Sequence, residues 1–122
     1  MLSKLPFNYS HDIMHYYANG LFDHEKVLSG LRIKDKELSF ATNIPINSIH
    51  STGSDISNEV RVRIEEWASA INKVAEFFND ETKTMRWFNS ENPQLANLTP
   101  RDMIISGRFK KLLQFINASL GK

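Results

Sequence analysis

Residues 87–122 read WFNSENPQLANLTPRDMIISGRFKKLLQFINASLGK, and the punctuation of this stretch decides the fold. Thr99 is a good N-cap, Pro100 suits the first helical position, and Asp102 at the third completes a capping box beside the positive end of the helix dipole. A helix is therefore expected from Thr99 to Gly107, whose freedom at positive φ supplies the stop. Phe109, Leu112, Leu113, Ile116 and Leu120 then recur at helical spacing up to Gly121, so the chain ends on an amphipathic helix.

Upstream, Val60, Ile64, Trp67, Ala68, Ile71, Val74, Ala75 and Phe78 form one stripe at a 3.6-residue period. The spacing predicts a long central helix that starts from a Ser57 or Asp55 cap. At ~1.5–3 kcal/mol per buried large apolar side chain, its six large members contribute about 10–18 kcal/mol gross, before chain entropy is subtracted. Such a stripe has to be covered. Asn79-Asp80 recaps the chain for a shorter helix over residues 81–88 with Met85 and Phe88 inward, and residues 89–98 form a loop.

Towards the N-terminus, Asp23 caps a helix through about Leu31, with Phe22 and Val27 placed for a hydrophobic staple. Residues 10–17, carrying Ile13, Met14 and Tyr17, read as a further helix that ends at Asn19-Gly20. Between residues 35 and 52 the pattern is two short helices, 36–42 and 46–52, about the turn Asn43-Ile44-Pro45. Leu38, Ser39, Asn43, Ile44 and Ile49 fill the places a helix-turn-helix requires, with Asn43 at the left-handed position. Spacing alone leaves open whether this motif reads DNA or is two short helices of a helical core. The expected class is all-α, with about seven helices and no strand. Residues 1–56 form an N-terminal helical region with the helix-turn-helix, and residues 57–122 the central helix and C-terminal module.

The chain has 122 residues, 41% hydrophobic and 24% charged, an ordinary globular composition for one domain or two small modules sharing a core. Its net charge is +1. Residues 1–56 hold five Lys/Arg against six Asp/Glu and the remainder ten against eight, so neither half is a strongly basic nucleic-acid module. Absence of cysteine removes disulfides and thiolate metal sites and is compatible with a reducing compartment. No apolar core of a signal peptide and no ~18-residue apolar run is present, so a cytoplasmic protein without membrane attachment is expected.

No Gly-rich phosphate loop, Gly-x-Ser-x-Gly elbow or cysteine nucleophile occurs, and Glu65-Glu66 reads as a solvated helix face. His11 and His15 share an i, i+4 spacing, yet no Glu lies between them and no third ligand is placed, so they read as surface histidines. An enzyme, a bound metal and a cofactor are all unexpected. Binding is the better prospect. A recognition helix would offer Asn47, Ser48, His50, Ser51 and Thr52 to DNA, with Lys36 and Arg61, and beside them Lys34 and Arg63, placed for phosphates. No Arg or Lys lies on that helix for guanine, and dimerisation would be needed to enlarge the footprint. At the other end Arg108, Lys110 and Lys111 open the last helix, and Phe115 lies off its apolar stripe. That combination suits a protein contact surface, although a lone exposed Phe is also ordinary.

Taken in order, Trp87-Phe88, Asn92-Pro93-Gln94-Leu95, Thr99-Pro100-Arg101-Asp102-Met103-Ile104 and Gly107 followed by an apolar terminal helix resemble the toxin-binding domain of the Xre/MbcA/ParS antitoxin family. The resemblance covers roughly residues 57–121. It implies the antitoxin of a type II toxin-antitoxin pair, with a RES-domain toxin that consumes NAD as partner. It further implies that the C-terminal region packs over the toxin's active-site cleft while the helix-turn-helix half represses the pair's own promoter on operator DNA, where the motif's small footprint makes a homodimer the expected form. Arg108, Lys111, Phe115, Leu120, Gly121 and Lys122 are then the residues expected to meet the toxin. Two features depart from the family: Ala96-Asn97 stand where small Gly residues are common, and the first half is slightly acidic. A stand-alone helix-turn-helix regulator whose C-terminal module dimerises, or a helical adaptor that never binds DNA, are the alternative classes.

Overall fold

The computed structural model describes residues 12–49 and 56–121. Its longest element explains the rest of the chain. Ser57 accepts a hydrogen bond from the Val60 amide and starts α3, Asn58–Phe78, which buries Val60, Ile64, Trp67, Ala68, Ile71, Val74 and Ala75. Ala70, outside the expected stripe, is buried too. This follows from α3 being enclosed from several sides, by α1 (His24–Leu31), α4 (Glu81–Phe88) and α6 (Phe109–Ser119). Helix α2 (Asp35–Thr42) packs on α5 (Pro100–Ile105). Val27, Leu31 and Leu38 from the first half and Phe88, Ile104 and Ile116 from the second belong to one hydrophobic core. The described chain is thus mostly helical, with six α-helices and one small sheet among the described residues.

Four of the six α-helices among the described residues start on a side-chain cap. Asp23 accepts from the Lys26 amide at 3.1 Å and Asp80 from the Lys83 amide at 2.9 Å. The Thr99 hydroxyl accepts from the Asp102 amide while the Asp102 carboxylate accepts from the Thr99 amide, the reciprocal box expected of that sequence. Gly107, at φ 81°, then closes α5: the Arg108 amide reaches the Met103 carbonyl and the Gly107 amide that of Ile104. These are the two bonds of a Schellman motif.

Two expectations are corrected. The segment expected as a helix over residues 10–17 is a turn and a hairpin over its described part. The Asp12 carboxylate accepts from the Tyr16 and Tyr17 amides, His15 takes φ 57°, and β1 (Tyr17–Ala18) pairs antiparallel with β2 (Leu21–Phe22). Asn19 and Gly20 join the strands at φ 54° and 78°. An Asn-Gly pair is the usual two-residue hairpin loop, because its left-handed residues match the twist of the strands, and here that outweighs its use as a helix end. The left-handed His15 also breaks the helical face it was expected to share with His11, which lies outside the described residues.

The second correction concerns the helix expected over residues 46–52. Helix α2 and the left-handed Asn43, at φ 59°, occur as expected. After Pro45 the chain makes only a single 3-10 turn, Ile46–Ser48, and Ile49 is extended at φ −92°, ψ 122°. His50, Ser51 and Thr52 lie outside the described residues. Ile, Asn and Ser are weak helix formers and no side chain caps the turn, whereas the extended Ile49 is buried in the core. Burying one large apolar side chain outweighs a further helical turn of poor formers.

Polar contacts also fasten residues far apart in sequence. Asn72 of α3 accepts from the Met14 amide and donates to Asp12, both at 2.9 Å. Arg101 of α5 reaches the corner between α1 and α2. Its guanidinium donates to the carbonyls of Leu31 and Arg32 and meets both carboxylate oxygens of Glu37 at 3.0 and 3.1 Å.

Candidate partner-binding groove

The last turn of α3 carries Phe77 and Phe78 on adjacent positions, and one helix face cannot bury both. Phe78 is partly buried against the core, whereas Phe77 is 70% exposed. The rings meet edge to face, 5.2 Å between centroids and 74° between planes. On α4, Trp87 stands edge-on to the buried Phe88 at 5.0 Å. It also runs nearly parallel to Phe115 of α6, at 9° and 6.5 Å. Together Phe77, Phe78, Trp87, Phe115 and Leu120 wall an open groove of about 230 Å³, floored by Val74 and Ile116.

One side of the groove is made by Asn92 and Gln94, at a tight turn. The Asn92 side chain accepts from the Gln94 amide at 2.9 Å, and its backbone pairs with Leu98 and receives the Asn97 amide at 3.0 Å. Closing this turn places Ala96 at φ 58° and Asn97 at φ 65°, in the region that favours glycine. Lys73 of α3 donates to the Asn117 side chain at 3.2 Å, tying α6 to the groove floor. Among the described residues no ionisable side chain lines the groove.

Of the residues expected to meet a toxin, Phe115 and Leu120 lie in this groove. Arg108 at the N-cap of α6 and Lys111 on it are exposed outside the lining, Gly121 is exposed at φ 75°, and Lys122 lies outside the described residues. Phe77 and Trp87 carry more of the surface than the sequence reading assigned them. The signal for Phe77 was present in the Phe77-Phe78 doublet, whose first member falls 100° off the buried stripe.

The residues expected to meet DNA are less gathered. Asn47 and Ser48 are exposed on the 3-10 turn, and Lys34 and Lys36 are exposed at the start of α2. Arg61 is turned to Glu65 at 3.3 Å and to Asn58 on its own helix. Arg63 donates to the Ala41 carbonyl at 3.2 Å and faces Glu66 at 3.9 Å. Both guanidiniums are engaged in the fold.

A second concavity, about 380 Å³, opens between the N-terminal segment and α4, beside Tyr16, Lys26, Glu81 and Met85. Its charges satisfy one another: Lys26 donates to the Met14 carbonyl at 2.6 Å and faces Glu81 at 3.5 Å, and Glu81 also meets His15 at 3.1 Å. Burial, then the Glu81 and Asp12 carboxylates, push the Tyr16 phenol above its ordinary value. Among the described residues no cluster of His, Asp and Glu is placed to hold a metal ion, and no helix is long and apolar enough to cross a membrane.

No protein-family model, no curated protein and no solved structure matches the chain. The likeness to the antitoxin family therefore rests on the residues quoted above.

Proposed function

We propose that this chain is the antitoxin of a type II toxin-antitoxin pair and that it holds its toxin through the groove between α3, α4 and α6. The observation that carries the reading is the open, uncharged groove walled by Phe77, Trp87 and Phe115. Aromatic side chains around a concavity are the usual centre of a protein interface, and their rigid rings lose little entropy on binding. Helix α6 is anchored by the buried Leu112 and Ile116, so its outer face is already ordered before a partner arrives.

Neutralisation in this reading is steric. A RES-domain toxin that consumes NAD is the partner the resemblance suggests, and residues 107–122 would cover the cleft that admits the dinucleotide. Phe115 and Leu120 would anchor, and Arg108 and Lys111 would meet acidic groups or the phosphate-binding region. No catalytic group is asked of this chain. Repression of the pair's own promoter in the cytoplasm remains part of the proposal, with Asn47, Ser48 and Lys36 as the described contacts. With Arg61 and Arg63 engaged elsewhere, a monomer offers few phosphate contacts, so operator binding requires a homodimer.

The test is co-expression with the product of the adjacent reading frame, scoring host growth and co-purification. Truncation after Ser106 is a poor probe, because it removes the buried Leu112 and Ile116 from the core. A Phe77→Ala/Phe115→Ala variant that keeps its helical content is the cleaner one. Rescue and co-purification by the parent chain, both lost in this variant, are expected. A harmless neighbour that does not co-purify would instead favour the stand-alone regulator.

A further inference from the structure

We infer that the groove receives one aromatic side chain of the partner, carried on an acidic segment; this deepens the docking reading above and rests on it. Size gives the first argument. At about 230 Å³ the groove is smaller than the ~300–1,000 Å³ pockets that enclose small-molecule ligands, and its scale is that of one large side chain. Wall chemistry gives the second. Phe77 and Trp87 each already make an edge-to-face pair on one side, with Phe78 and Phe88 respectively, and Phe77 leaves most of its ring in solvent. A further ring in the groove extends both clusters in the geometry aromatic pairs prefer.

Charge complementarity gives the third argument. Among the described residues the lining carries no ionisable group, so a charged anchor would lose its hydration without compensation. Around it the balance is basic. Lys83 lies four residues before Trp87 in α4 and Lys111 four before Phe115 in α6, so each shares the helix face of its ring, and Arg108 stands at the N-cap of α6. All three cations are exposed. Against them stand Glu91, next to Asn92, Glu76, which points 100° away from Phe77 on α3, and Asp80, whose carboxylate is taken up by the Lys83 amide at the start of α4. A partner segment with carboxylates on either side of an aromatic residue fits this arrangement, and a basic one does not.

The experiment follows the two tryptophan indole N–H signals of the full chain by NMR during peptide titration. Trp67 is fully buried and serves as the internal control for Trp87. Three blocked pentapeptides are compared: a central phenylalanine flanked by Asp and Glu, the same peptide with a central alanine, and the phenylalanine flanked by lysines. The Trp87 signal is expected to shift saturably with the first while Trp67 stays in place. Affinity should be at least tenfold weaker for the other two, fall at least fivefold in Phe77→Ala, and weaken with salt. No saturable shift of Trp87, or equal binding of the lysine-flanked peptide, overturns the inference. Co-expression separates this failure from that of the docking reading. If Phe77→Ala/Phe115→Ala loses the toxin while the acidic peptide fails, the groove docks a partner by other chemistry. If that variant keeps the toxin, the docking reading itself falls.

Discussion

Replacing Arg101 with methionine should destabilise the protein by about 2.5–3 kcal/mol, although the residue lies on a short helix and makes no contact in the apolar core through its charge. The Arg101 side chain is 21% exposed, and its guanidinium satisfies groups that the fold leaves over. The Leu31 and Arg32 carbonyls stand at the C-terminal end of α1, where the helix has no further amides to donate. The part-buried bond to Leu31 and the exposed one to Arg32 contribute about 1 kcal/mol each, below the usual value for a charged donor because water reaches this corner, and the ion pair with the partly exposed Glu37 adds about 0.5–1. Methionine keeps the apolar stem and removes all of these bonds at once. For a chain of this size the loss corresponds to a fall in Tm of roughly 8–15 °C. Urea unfolding followed by circular dichroism would read it as a lower midpoint with an unchanged slope. A double-mutant cycle with Glu37→Gln should return a coupling of about 0.5–1 kcal/mol, the ion-pair part alone. A loss below about 0.5 kcal/mol in Arg101→Met would instead mean that the α1 carbonyls are equally well served by water.

The same corner sets an acid dependence. Burial raises the Glu37 carboxyl, but the Lys34 amide and the Arg101 guanidinium together outweigh it and hold the group below its ordinary 4.5. A depressed carboxylate stabilises the fold above its unfolded pKa and loses that contribution as pH falls through the folded one. The parent should therefore lose stability below about pH 4.5 more steeply than Arg101→Met, as midpoints of urea unfolding across that range would show. At the alkaline end the buried Tyr16 phenol is held above its ordinary 10.0, so the unfolded chain releases that proton first and stability falls as pH rises past 10.0. In absorbance titration Tyr16 should ionise only with unfolding, so ionisation of every tyrosine in the folded protein would be inconsistent with this burial. Two left-handed positions should respond in opposite directions. Ala96→Gly relieves a non-glycine residue at φ 58° and should raise stability by about 0.5–1 kcal/mol, whereas Gly107→Ala should lower it by about 1–2, both measured by thermal unfolding.

The parts of the fold legible in the sequence share a physical range. Caps at Asp23, Ser57, Asp80 and Thr99 are bonds from a side chain to an amide three residues on, and the Gly107 stop is equally local. The α3 stripe is legible because its period is a property of one helix. Where a local signal had two meanings, as at Asn19-Gly20, the sequence alone favoured the wrong one. Where local propensity was weak, as at Ile46–Ser48, the burial of Ile49 decided the backbone, and that burial depends on elements elsewhere in the chain. Arg101 with Leu31, Arg32 and Glu37, and Asp12 with Asn72, join residues about sixty to seventy apart and leave no pattern in either stretch.

The groove belongs to this second kind, with one instructive exception. Phe115 and Trp87 stack only because α4 and α6 meet, which no periodicity announces. Phe77 differs, since helix geometry alone places it off the buried face of α3 and the neighbouring Phe78 already fills the available inward position. Folding has little use for a large ring at that site, and solvent exposure of such a ring costs solubility. An aromatic residue that the core does not need, beside a second pair brought there by the tertiary fold, is better explained by something outside the chain than by the chain's own stability.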